Sequence, residues 1–156
     1  MGRSYSANIA GMVKSFLDED DWRYSFDSDS GIFRFDLSLE GKLKEINYII
    51  LISEYNYIVY GLCPMNAEED CRAQMAEFIT RANYGLKNGN FEMNFHDGGL
   101  RYKSFVDCED SVIGNEAIKN SIYTVANMFM KYEPGILAVL FNLKSPEQAV
   151  NECEGK

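Results

Sequence analysis

Two adjoining segments constrain this chain most. "IFRFDLSLE" places Phe33, Phe35, Leu37 and Leu39 at alternate positions, with Arg34, Asp36, Ser38 and Glu40 between them. Successive side chains of a strand point to opposite faces, so this period of two specifies a strand with one buried and one wet face. "EINYIILIS" follows, with Ile46, Tyr48, Ile50 and Ile52 against Ile49 and Leu51. A strand apolar on both faces belongs in the middle of a sheet, either covered on both sides or partly shielded by a partner.

The flanking segments complete a pattern. Ile9, Met12, Val13, Phe16 and Leu17 fall at i, i+3, i+4, i+7 and i+8, which predicts a helix over roughly 6–18 with Ser6 as its N-cap. "WRYSFD", "DSDSG" and "YNYIVYGL" add a strand, a turn and a further strand, so four strands form an antiparallel meander. A second helix is expected from Asn66 as N-cap, with Glu69 at N3, a buried stripe of Cys71, Met75, Phe78 and Ala82, and a stop at Gly85. A hairpin covers about 89–106. A third helix, capped by Asn115, buries Ile118, Ile122, Val125, Phe129 and Tyr132 and is expected to break at Pro134-Gly135, leaving "ILAVLFN" as a short helix of its own. "SPEQ" opens a last helix with Ser145 as cap, Pro146 at N1 and Gln148 at N3, and the acidic end "NECEGK" is expected to fray. The order α-β-β-β-β-α-β-β-α is an α+β fold with an antiparallel sheet, one domain over 6–141 and a short helical tail over 142–156.

Composition excludes several roles. Of 156 residues 46% are hydrophobic and 25% charged, an ordinary globular mixture that needs no metal or disulfide to hold it together. The net charge of −9 and the lack of a basic stripe argue against nucleic acid, whose phosphates dominate affinity. Cys63, Cys71, Cys108 and Cys153 show no C-x-x-C spacing, and one histidine does not complete a zinc set, so they read as reduced thiols of a cytosolic protein. The N-terminus lacks a signal-peptide core, and Met1-Gly2 with Ser6 fits a myristoylation pattern only superficially. "GILAVLF" is too short to span a membrane. Neither a metal nor a cofactor is expected.

Chemistry has few candidates. "FHDGGLRY" holds the only histidine, beside Asp97, but adjacent residues of a strand point apart and the alternation puts His96 on the wet side of a hairpin tip. A two-residue loop at Asp97-Gly98 pairs Phe95 with Leu100, Met93 with Tyr102 and Glu92 with Lys103. A loop at Gly98-Gly99 keeps the same faces, and a three-residue loop would flip them. The acids Asp18 to Asp21 fan outward from a helix-to-strand loop, and "DSDSG" fails the EF-hand register. The glycines form no phosphate-binding pattern. A catalytic role would need converging acids such as Asp36 and Glu54.

What remains is apolar surface outside the core stripes. Ile49 and Leu51 lie on the second face of their strand and Phe105 on the polar face of the hairpin. Tyr123 and Met130 sit about 120–140° from the third helix's apolar face, at about 100° per residue. These five are the candidate protein-binding residues.

The segment "AEFITRANYGLKNGNFEMNFHDGGLRYKSFV" resembles the helix-hairpin signature of the YbjN-domain family: a helix ending near an Asn, a "G-x-F" strand, a "D-G" turn and an "R-Y" strand. "FLDEDDWRY" resembles that family's helix, acidic turn and W-x-Y opening, and "IVYGLCPMNAEEDCRAQM" its strand, Pro turn and charged helix start. The resemblance covers roughly residues 9–141. It implies a fold similar to type III secretion chaperones, a twisted antiparallel sheet packed with helices on one side and often dimeric, and a family described as bacterial sensory transduction regulators with no established reaction. Asn83, Gly89, Phe91, Gly98, Arg101 and Tyr102 match the pattern, each with a structural job. Together these readings lead to the expectation of a cytoplasmic, non-enzymatic protein-binding module, chaperone-like or a regulatory adaptor, forming a homodimer and engaging a protein partner. The alternative is a small-ligand sensor with a pocket between the sheet and the third helix.

Overall fold

The computed structural model describes residues 4–156, so the Met1-Gly2 pattern lies outside the described residues. Helix α1 (Ala7–Glu19) precedes β1 (Ser25–Asp27), β2 (Ile32–Ser38), β3 (Glu45–Ile52) and β4 (Asn56–Leu62). A 3-10 turn at Glu69–Cys71 leads into α2 (Arg72–Asn83), followed by β5 (Asn90–Met93), β6 (Leu100–Asp107), α3 (Asn115–Leu140) and α4 (Pro146–Cys153). The strands form one six-stranded sheet in the order β1-β2-β3-β4-β6-β5, antiparallel throughout. This is the α+β architecture that the alternation implied.

Register follows the apolar pattern. Phe33 pairs with Ile50, Phe35 with Tyr48 and Leu37 with Ile46, and across the next ladder Tyr48 pairs with Gly61, Ile50 with Val59 and Ile52 with Tyr57. Phe33, Ile46, Ile50 and Val59 are fully buried, each worth about 1.5–3 kcal/mol of apolar transfer. Helix α3 lies across this face. The Tyr48 hydroxyl donates to the Ile122 carbonyl (2.7 Å), and the Tyr57 and Ser121 hydroxyls share a hydrogen bond (2.9 Å). Burial pushes both phenols up, Tyr57 to about 12. Gly61 makes the close approach possible, because a Cβ there would run into Val125 and come within 3.0 Å of Ile46. Helix α1 contributes Val13, Phe16 and Leu17 to the same core, and Phe78 of α2 packs on Tyr132 of α3.

Several local expectations fail for identifiable reasons. "WRYSFD" is a strand only from Ser25. Trp22 leaves the ladder to pack on Phe35, Tyr48 and Tyr123. Asn66 does not cap α2; its amide reaches back to the Asp97 carbonyl (3.3 Å), and the helix is entered through the 3-10 turn. Asn115 does not cap α3 either. Gly114 occupies that position, and the Asn115 amide bonds Glu19 (3.2 Å).

Pro134-Gly135 does not break the helix: α3 runs unbroken through both, so "ILAVLFN" is not a separate helix. Pro134 and Met130 four residues before it lie on the exposed face, where water can take the backbone bond that proline forfeits. Gly135 faces inward, with Phe78 2.5 Å and Cys153 2.9 Å from where a Cβ would stand, so α2 and α4 hold the two halves of α3 in line.

The chain end is also ordered by contacts. Ser145, Pro146 and Gln148 form the expected capping box, Ala149 and Val150 are buried, and Glu154 accepts hydrogen bonds from Tyr132 (2.9 Å) and Lys156 (2.9 Å). "NECEGK" is therefore pinned, not frayed, because Tyr132 bonds Glu154 and accepts from the Cys153 thiol.

Two expectations can be checked by urea unfolding. Gly61→Ala destabilises by about 1–3 kcal/mol, since Val125 is β-branched, buried and stiff. Pro134→Ala stabilises by about 1–2 kcal/mol, since it restores an exposed helical hydrogen bond without touching the core.

Candidate functional site: the open face of the sheet

All the helices lie over the face that carries Phe33, Tyr48, Val59 and Tyr102. The opposite face carries Ile32, Ile49, Leu51, Ile58, Tyr60, Leu62 and Phe105, all of them partly or largely exposed. Cross-strand pairing lines them up. Ile32 pairs with Leu51, Leu51 with Ile58 and Ile58 with Phe105, a continuous apolar row across β2, β3, β4 and β6. The next row runs Arg34, Ile49, Tyr60, Lys103, and the one beyond it Asp36, Asn47, Leu62, Arg101, Glu92. Phe105 is 52% exposed although it sits inside a strand.

One corner of the face is a fixed charge cluster. Glu92 accepts from Arg101 Nε (2.8 Å) and Lys103 Nζ (2.9 Å). Partial burial raises the Glu92 carboxyl, but hydrogen bonds from Lys103 and Arg101 outweigh it and hold the group below the usual glutamate range. The Arg101 guanidinium lies 4.1 Å from the centre of the Tyr60 ring, a cation–π contact. A cleft of about 560 Å³ opens beside this cluster, lined in part by Leu62, Cys63, Asn66 and Arg101. Burial pushes the Cys63 thiol up, the opposite of an activated nucleophile.

Of the five candidate residues, Ile49, Leu51 and Phe105 come together on this face. Tyr123 and Met130 do not, because they sit in the helical layer on the other side of the sheet. The Tyr123 hydroxyl donates to Asp20 (2.7 Å), and its ring packs on Trp22. Met130 is exposed on the outer side of α3, on the same face as Pro134. Ile32, Ile58, Tyr60 and Leu62 were missed as surface residues. The signal was present in "NYIVYGL", apolar at both parities like "EINYIILIS".

The hairpin tip is structural. Gly98 N–H donates to the Asn94 carbonyl (2.7 Å) and Asn94 N–H to the Gly99 carbonyl (2.9 Å), so the loop has four residues, Phe95 to Gly98. The register shifts by two: Phe91 pairs with Tyr102, Met93 with Leu100 and Glu92 with Arg101. Both two-residue loops are thereby corrected, while the assignment of faces survives the even shift. Phe95 leaves the core for the turn, where it is 63% exposed. Its position follows from what grips the loop. Arg72 donates to the carbonyls of Ala67, Phe95 and His96, and Ala67 N–H to that of Gly98 (2.8 Å). Gly98 has φ +74° and its missing side chain is where the Ala67 carbonyl sits. Asp97 accepts from Gly99 N–H (2.8 Å), and His96 is exposed.

The acidic turn is likewise occupied. Asp18 binds Tyr24 (2.6 Å) and Lys14 (3.1 Å), and Asp20 binds Trp22 (2.9 Å) and Tyr123. Among the described residues, no group of three or more His, Cys, Asp and Glu is placed to hold a metal ion. Asp36 lies beside Asn47 near the start of β3, and Glu54 follows its far end, so these two acids do not converge. No helix among the described residues is long and apolar enough to cross a membrane. No family model and no curated relative matches the chain.

Because the Glu92 carboxyl titrates lower when folded, its pairing adds stability above the ordinary glutamate pKa and loses it as pH falls through the folded value. Glu92→Gln is expected to cost about 1 kcal/mol at neutral pH. Urea titrations of both proteins should converge in strongly acid solution.

Proposed function

We propose that this protein is a non-enzymatic protein-binding module, chaperone-like or a regulatory adaptor, whose binding surface is the helix-free face of the sheet. The carrying observation is the continuous row Ile32–Leu51–Ile58–Phe105 with Ile49, Tyr60 and Leu62 beside it. Contiguous apolar surface rimmed by charge is costly to leave in water and marks contact surfaces. The rim here is Arg34 and Asp36 on β2, and Lys103, Arg101 and Glu92 at the other end. The resemblance to the YbjN-domain family, and through it to type III secretion chaperones, supports the same reading, and residence in the cytoplasm is proposed with it. Asn83 fits the resemblance well: its side chain takes both backbone groups of Phe91 (2.8 and 3.0 Å), joining the end of α2 to β5.

A small-ligand sensor would need room between the sheet and α3. That layer is filled by Tyr48, Tyr57, Val125 and Phe129, all fully buried, which favours the binding face over a pocket.

The test is affinity capture from the native host with the wild-type chain and with a Leu51→Glu/Phe105→Glu double variant of unchanged circular dichroism. A specific protein retained by the first and lost by the second is the expected result. Equal retention by both would overturn the assignment of this face.

A further inference from the structure

We infer that the occupant of the open sheet face is a second copy of this chain, docked sheet to sheet about a two-fold axis; this rests on the reading of that face as a protein-binding surface. Charge is the first argument. The chain carries −9 overall, which opposes self-association through an arbitrary surface. On the open face of β2 to β6, however, Arg34, Lys103 and Arg101 stand against Asp36, Glu45, Glu92 and Asp107, one more carboxylate than cation. The acidity lies elsewhere, so two copies can meet here without the repulsion that the net charge imposes. A strongly basic partner would find no acidic field on this face, because Glu92 is already committed to Arg101 and Lys103.

The shape is the second argument. Strand addition at β5 is blocked where Asn83 occupies the backbone of Phe91, and the other edge strand, β1, is only three residues long, so contact through side chains of the face is favoured over contact through an edge. With about 4.8 Å between strands and about 3.3 Å per residue, the face from β2 to β5 covers about 550 Å² in projection. Side-chain relief raises its accessible area toward the roughly 800 Å² per partner of a stable interface. Two sheets pack about 10 Å apart by interdigitating such rows.

The face is also self-complementary. An in-plane two-fold axis between β3 and β4 lays Leu51 on Ile58 of the second copy and Ile32 on its Phe105. It brings Asp36 to Arg101 of the second copy. It sets Arg34 near Lys103, whose charge Glu92 already balances. The apolar row thus closes on itself, the condition for an isologous dimer.

The experiment is light scattering on the full chain over a micromolar concentration series, with Ile58→Glu and Ile58→Lys, each checked for an unchanged circular-dichroism melt. The wild type is expected at twice 17.8 kDa. Each variant is expected at the single mass, and an equimolar mixture of the two returns to the doubled mass, which a misfolded variant could not do. A wild type that stays monomeric, or a dimer that persists in both variants, overturns the inference. If the monomeric wild type still captures a host protein that Leu51→Glu/Phe105→Glu loses, the second copy falls and the binding face stands. If that capture is indifferent to the double variant, both fall.

Discussion

Close packing of α3 across the centre of the sheet is the interaction on which the rest of the molecule depends. It needs a strand without a side chain at Gly61 and two buried phenols, Tyr48 and Tyr57, whose hydroxyls find Ile122 and Ser121. A buried hydroxyl without a partner costs free energy, so these bonds fix where the helix sits as well as how closely. Once α3 is placed, α1 and Trp22 close one end, and α2 and α4 close the other against Phe129 and Tyr132. One face of the sheet is then sealed, and among the described residues no helix lies over the other.

That asymmetry gives the apolar residues of the outer face their meaning. In a sheet covered on both sides, Ile49, Leu51 and Ile58 would be ordinary core. Here they share a surface with Arg34, Asp36, Lys103 and Arg101. The apolar row thus stands on the sheet itself, with the β5 edge and the hairpin turn closed by specific bonds, Asn83 to Phe91 and Arg72 to the hairpin tip. Groups that first suggest chemistry belong to this scaffolding: Asp97 closes its own turn, and Asp18 and Asp20 hold tyrosine and tryptophan donors.

Much of the fold was legible because its signals are local. The alternation of β2 and the i, i+3, i+4 spacing of α1 depend on no distant residue, and the Ser145 capping box is complete within four positions. The failures share one cause. Asn66, Asn115 and Pro134 each carry a local preference that a tertiary partner overrides: the hairpin tip, Glu19, and the walls formed by Phe78 and Cys153. The hairpin register failed in the same way. Parity of side chains fixes which face a residue takes, but a shift by two leaves every face unchanged, so only the grip of Arg72 and Ala67 on the loop selects the four-residue turn.

For the candidate site, the sequence by itself determined that β3 has too much apolar surface for a one-sided sheet, because period-two alternation shows which residues share a face. It could not say whether Tyr123 and Met130 belong with Ile49, Leu51 and Phe105, since a position on a helix says nothing of which side of the sheet that helix covers. Only the tertiary structure decided this, by seating every helix on one face. It left Ile32, Leu51, Ile58 and Phe105 in one exposed row, and it tied Tyr123 to Asp20 on the other side, where burial and a hydrogen bond account for it.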